Sequence, residues 1–273
     1  MRKNQILYFT SLLFTGLLIA ITSCTKVIDI ELKDAERKYV VEGAVYEGVD
    51  SVLVRLTKTN SFFSTNTPQG LNNGVVKLTM PDQSIITLNS IGEGYYKASG
   101  LTITPASTYA MRVEIDGQTF TASSYMKPSM PLDSLEYEFS PGIFGGEDGF
   151  SVFLYFQDQP GKDWYRILSS VDGIPLNKPE DILVIDDNLN DGNLIRIPIF
   201  THTYDYGDTV DVELQSLDAP LYEFYQTFAA VASEDAGSPF NAAPANPESN
   251  IQGGALGVFG AYTSSRRTII LPQ

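Results

Sequence analysis

Tyr109-Ala110-Met111-Arg112-Val113-Glu114-Ile115-Asp116-Gly117-Gln118-Thr119-Phe120-Thr121-Ala122 is the stretch that decides the fold. Tyr109, Met111, Val113 and Ile115 alternate with Ala110, Arg112 and Glu114. That period of two sends one set of side chains into a core and the other toward solvent. Asp116-Gly117 follows at once. The pair accepts positive φ at both central positions of a type I′ turn, so the chain is predicted to fold back into Gln118–Ala122.

The pattern extends outward from this hairpin. Val52, Val54 and Leu56 alternate with Leu53, Arg55 and Thr57, and further short strands are predicted near 40–47, 75–80, 84–88 and 94–98. Six or seven strands in about 90 residues, without a helical pattern, predict an immunoglobulin-like sandwich over 38–127. Lys127-Pro128-Ser129-Met130-Pro131 then interrupts strand and helix alike, and a domain boundary is placed there.

A second β-rich body, sandwich or barrel-like, is predicted over 132–273. Leu135–Phe139 precedes a glycine-rich loop, Gly142 to Gly149, and Phe150–Phe156 is a continuous apolar run of the kind found in buried strands. Trp164–Val171 leads to Asp172-Gly173, a second hairpin signal. Ile182–Ile185, Leu194–Phe200 and Val210–Leu214 follow, with last strands at about 256–262 and 268–271. One helix is expected near 218–232, with Asp218 as N-cap and Pro220 in the first turn. Its stripe of Leu221, Phe224, Tyr225, Phe228 and Val231 is expected to pack on the second sheet. The predicted class is all-β with a minor α component.

The N-terminus predicts export. Arg2 and Lys3 precede the apolar stretch Ile6–Ile21, which ends in Ile21-Thr22-Ser23-Cys24. That stretch is shorter than the roughly 20 residues a membrane span needs, and it suits a signal segment. Cys24 is the sole cysteine, so it has no disulfide partner, and it stands where a lipid-accepting cysteine must. Residues 1–23 are therefore predicted to be a lipoprotein signal peptide, and 24–37 a tether. An anchor of more than one acyl chain gives stable attachment to the bilayer. Thr25, where an aspartate would favour inner-membrane retention, leans toward the outer membrane.

Without residues 1–23 the chain carries 16 basic and 33 acidic residues, a net charge of −17. Such a surface excludes a nucleic-acid partner and does not lie electrostatically on anionic lipid, so attachment falls to the acyl chains.

Catalytic constellations are sparse. His202 is the only histidine, which excludes a zinc site built on several histidines, and no G-x-S-x-G turn accompanies it for a serine triad. It is expected to be structural. In the run Asp186-Asp187-Asn188-Leu189-Asn190-Asp191-Gly192, the side chains of Asp186, Asn188, Asn190 and Asp191 are candidate calcium ligands. The helical calcium loop fails, because its sixth place is Asp191 and its twelfth is Ile197; turn formation is the ordinary role of such segments. A carboxylate pair for glycoside hydrolysis is a distant alternative, with no sequence spacing to single out its members. Phe62, Phe63 and Phe240, in loops rich in small polar residues, are candidate partner or ligand contacts.

Cys24-Thr25-Lys26-Val27-Ile28-Asp29-Ile30, Tyr39-Val40-Val41-Glu42-Gly43 and Asn246-Pro247-Glu248-Ser249-Asn250-Ile251-Gln252-Gly253-Gly254-Ala255-Leu256-Gly257-Val258-Phe259 carry a family resemblance. Gly92-Glu93-Gly94-Tyr95 and Gly207-Asp208-Thr209-Val210 add to it. Together they resemble an uncharacterised family of Bacteroidetes outer-membrane lipoproteins, covering nearly the whole chain after Cys24. The resemblance implies an accessory protein beside a TonB-dependent outer-membrane receptor, with the body leaning toward the cell surface. It brings no catalytic or ligand residues. A non-enzymatic binding subunit for nutrient uptake is thus expected. A structural or adhesive envelope protein is the alternative.

Overall fold

The computed structural model describes residues 36–61, 67–141, 148–232 and 246–273. Cys24, Phe62, Phe63 and Phe240 lie outside them. The hairpin that decides the fold is β6 (Ser107–Ile115) and β7 (Gln118–Met126), and Asp116 and Gly117 take φ of 49° and 76°, as a type I′ turn requires. Tyr109, Met111, Val113 and Ile115 are buried, as their alternation predicts.

The first sandwich faces two sheets. One holds β1 (Tyr39–Tyr46), β2 (Ser51–Lys58) and β5 (Tyr95–Ser99); the other holds β3 (Val75–Thr79), β6 and β7. β4 (Ile85–Gly92) turns the corner, pairing β3 through Ile85–Leu88 and β5 from Asn89 onward. Val54, Leu56, Leu78, Met111 and Phe120 meet in the core between them.

The second sandwich sets a three-stranded sheet against a larger one. The small sheet runs β13 (Leu194–Pro198), β9 (Gly149–Gln157), β8 (Ser134–Ser140). The larger holds β10 (Trp164–Val171), β14 (Thr209–Leu217) and β15 (Leu256–Ile270), with β11 (Ile174–Pro175) and β12 (Leu183–Asp186) along β10. Val152, Leu154, Phe156, Ile167, Val212 and Leu214 fill this core. β9 is the central strand of its sheet, which is why Phe150–Phe156 reads as a continuous apolar run.

The strand β15 is what the sequence leaves out. The chain predicts two strands here, split at a run of polar residues, yet Leu256–Ile270 is one. Its first half pairs in parallel with β1, and its second half pairs antiparallel with β14. Phe259 accordingly sits in the first core, although the sequence groups it with 132–273. The β1–β15 approach depends on Gly257, where φ is 100° and a Cβ would stand 2.1 Å from the Val41 carbonyl oxygen. Asn250 supports the same strand: Phe259 N–H donates to its Oδ1 at 3.0 Å, and its Nδ2 donates to Phe259 O at 2.7 Å. The C-terminal motif thus builds the joint between the sandwiches.

The helix α1 (Ala219–Ala232) lies on the outer face of the larger sheet, against β10, β12 and β15. Asp218 caps it, accepting from Leu221 N–H at 3.1 Å. Of the stripe predicted to pack, Leu221 is fully buried and meets Leu217 and Tyr262, whereas Phe228 is 38% exposed.

Candidate functional site

The stripe stays partly open because the sheet beneath it is polar. On their outer face β10, β14 and β15 place Ser170, Asp211 and Thr268 in one cross-strand row, and Leu168, Glu213 and Arg266 in the next. Arg166 and Gln215 share a third. Aromatic rings laid over such a floor cannot close on it without stripping water from charged groups. The result is a cleft of about 830 Å³, floored by the sheet, walled by Phe224, Tyr225 and Phe228 of α1, and rimmed by the 173–182 segment.

The polar groups of the floor are mostly paired with one another. Arg266 pairs with Glu213 at 2.6 Å, and Gln215 Nε2 donates to Glu213 at 3.0 Å. Asp211 accepts from Thr268 Oγ1 at 2.5 Å and from Ser170 Oγ at 3.4 Å. At one end lies a tyrosine cluster. Tyr46 stacks on Tyr262 with ring centroids 5.1 Å apart, and the Tyr225 and Tyr262 hydroxyls are 2.9 Å apart. Burial holds the Tyr262 phenol well above its usual titration range, so it stays protonated.

A second feature is a knot of carboxylates where β9 and β12 end and β10 begins. Asp158, Asp163 and Asp187 offer oxygens within 4.8 Å of one another, and Asp158 and Asp187 are buried. Lys127 pairs with Asp163, Tyr165 Oη donates to Asp158, and Gly192 N–H donates to Asp158 at 3.0 Å. Asp163 N–H donates to Asp187 at 2.9 Å. Burial is the main cause that raises the Asp187 carboxyl above its usual range, and the neighbouring Asp158 and Asp163 charges add to it.

The calcium ligands expected from the sequence are arranged differently. Asp186 folds back on Asn188, accepting from its N–H at 3.3 Å and its Nδ2 at 2.6 Å, an ordinary Asx turn. Asp191 accepts from Gly161 N–H at 2.8 Å, and Asn190 N–H donates to Asp187 O at 2.7 Å. Neither Asp186 nor Asp191 joins the carboxylate group; Asp187, between Asp186 and Asn188, does. His202 lies beyond β13, with its ring edge-on to Tyr204 at 4.9 Å.

The raised carboxyl gives a signed prediction. A folded-state value above the unfolded one means the charged form costs stability at neutral pH, and that cost disappears below about pH 4, where both states are protonated. Asp187→Asn keeps an oxygen for Asp163 N–H and removes the charge. Its thermal midpoint is therefore expected to exceed the parent's at pH 7 and to converge with it at about pH 4. Adding calcium discriminates further: a cation held by the knot raises the midpoint of the parent and leaves the variant unmoved.

Fold and site together define an all-β protein of joined sandwiches, with a single described helix roofing a cleft. The family model described as "Domain of unknown function (DUF4249)" matches residues 25–268, and the chain belongs to that family. No curated protein matches it. Among solved structures it is similar to a two fibronectin type-III domain segment from chicken tenascin, at 12% identity and a TM-score of 0.23, over 67% of this chain and 93% of that one. It is also similar to the chicken CNTN1 FN1–FN3 domains, at 10% identity and a TM-score of 0.25, over 68% of this chain and 62% of that one. A third is the alpha-L-rhamnosidase from Dictyoglumus thermophilum, at 10% identity and a TM-score of 0.26, where 68% of this chain spans 28% of the enzyme. Among the described residues, no helix is long and apolar enough to cross a membrane.

Proposed function

We propose that this protein is a lipid-anchored, non-enzymatic binding subunit of the outer membrane, working beside a TonB-dependent receptor in nutrient uptake. The observation that supports it is the cleft under α1. Its volume of about 830 Å³ falls in the range of small-ligand sites, and its lining sets aromatic walls against a few fixed polar groups. The floor lies on strands hydrogen-bonded on both sides, so its polar groups are held in place. Acyl chains on Cys24 would hold the acidic body at the membrane, with the cleft free to take up and pass on cargo. We take the body to face the cell surface.

Co-purification from detergent-solubilised outer membrane tests the partnership. A barrel protein recovered in stoichiometric amount with the tagged full chain is the expected result. Its absence across growth conditions sinks the transport role and favours a structural or adhesive one. Protease shaving of intact cells should degrade the body, and full protection would place it in the periplasm.

A further inference from the structure

We infer that the cleft receives a small organic monoanion, a carboxylate carried on a flat apolar body, and that Arg166 binds its charge. The inference rests on the cleft being a ligand site and names the class of ligand it takes.

Arg166 stands on β10, which is paired on one side with β14 and on the other with β12, so its backbone is fixed. Its side chain is half-buried, and the guanidinium lies over the Tyr225 ring at 4.0 Å. A guanidinium held over a ring at this distance keeps N–H donors for a carboxylate, which it can grip in a bidentate pair. Among the described residues no carboxylate comes within 4.0 Å of Arg166, and none accepts a hydrogen bond from it.

The contrast with its neighbours carries the point. Arg266 has Glu213, and Lys178 has Glu180 at 3.9 Å. Two acids of the floor are matched as well, Glu213 by Arg266 and Gln215 and Asp211 by Thr268 and Ser170, while Glu42 at the cleft is exposed to solvent. In a chain of net charge −15, Arg166 is, among the described residues, a half-buried cation with no carboxylate beside it, and so able to pair with an incoming anion. The Tyr225 ring under the guanidinium also has its hydroxyl 2.9 Å from that of Tyr262, which places Arg166 beside the tyrosine cluster.

The rest of the lining narrows the class. Glu42, Asp181, Asp211 and Glu213 line the same cleft against Arg166, Lys178 and Arg266, so a second negative charge on the ligand, as in a phosphate monoester, adds repulsion that Arg166 alone does not offset. The Phe224 and Phe228 rings, 14° from parallel with centroids 5.8 Å apart, line the cleft as a stacked pair and offer apolar surface to the body of the ligand.

Phenylacetate, its neutral amide phenylacetamide and the cation phenethylamine are the probes, titrated by calorimetry into the purified full-length chain in detergent. Phenylacetate is expected to bind about tenfold or more tightly than the amide, with phenethylamine weakest. Arg166→Gln should bring phenylacetate down to the level of the amide and leave the amide unchanged; Arg166→Lys should restore part of the difference. A thermal melt shows that each variant is folded. Equal affinity for phenylacetate and the amide in the parent chain overturns the inference without needing any variant. So does unchanged phenylacetate affinity in Arg166→Gln, or binding of none of the probes up to roughly 10 mM. Equal binding of charged and neutral probes would leave the cleft a ligand site and remove only the anion. The transport role stands or falls separately, on co-purification.

Discussion

Replacing Asp218 with Ala is expected to lower the unfolding free energy by about 3–7 kcal/mol, read as a drop in the denaturant midpoint at constant slope. Three donors converge on this one buried carboxylate. Leu221 N–H donates at 3.1 Å as the helix cap, Ser124 Oγ at 2.9 Å, and Tyr125 N–H at 2.8 Å. Ser124 in turn accepts from Ala261 N–H at 3.1 Å, so the network reaches from α1 through β7 to β15. Loss of the cap alone costs about 1 kcal/mol, and each buried donor left without a partner about 1–3 more. Asp218→Asn, which keeps one accepting oxygen but turns a donor toward the others, should fall between. A cost under about 1 kcal/mol for the Ala variant would show that these contacts are replaceable by water.

The second large effect is on location. On the proposed anchoring, Cys24→Ser removes the thiol that would accept the lipid and would block cleavage at that position, leaving a precursor with its apolar stretch Ile6–Ile21. The variant is expected to vanish from the outer-membrane fraction and to accumulate as a longer, unacylated form. Fractionation with mass spectrometry of the N-terminus reads both changes. Mature variant protein in the outer membrane at parental level would contradict the anchor, since the net-negative body offers no electrostatic hold on anionic lipid.

How much of this was legible depends on the range over which each feature is encoded. The β6–β7 hairpin and the buried faces of β2 and β14 follow from residues two apart, and the structure places Val52, Val54, Leu56, Val210, Val212 and Leu214 inside. The cap at Asp218 is equally local. Its second role is not, because Ser124 lies 94 residues away. The sequence divides β15 in two because Thr263–Arg267 looks like a polar break. Those residues stay extended only because β14 pairs with them.

The site shows the same division. Asp187 looks no different from Asp186 or Asp191 along the chain, and what sets it apart is burial beside Asp158 and Asp163. Arg166 reads as an ordinary solvent-facing residue of an alternating strand. Only the placement of α1 over the sheet turns it into part of the floor of a cleft. One signal was present in the sequence: an aromatic stripe on a helix facing strands whose outward residues are Arg, Asp and Glu. Such surfaces cannot seal against each other, and a cleft between them follows.

All of this turns on β15 making one body of two sandwiches, because the same strand closes the first core and floors the cleft. Differential scanning calorimetry of the full chain tests that claim most directly. A single endotherm is predicted, with calorimetric and van 't Hoff enthalpies equal, moving as a whole in Asp218→Ala. Two separable endotherms, of which the variant shifts only one, would contradict it.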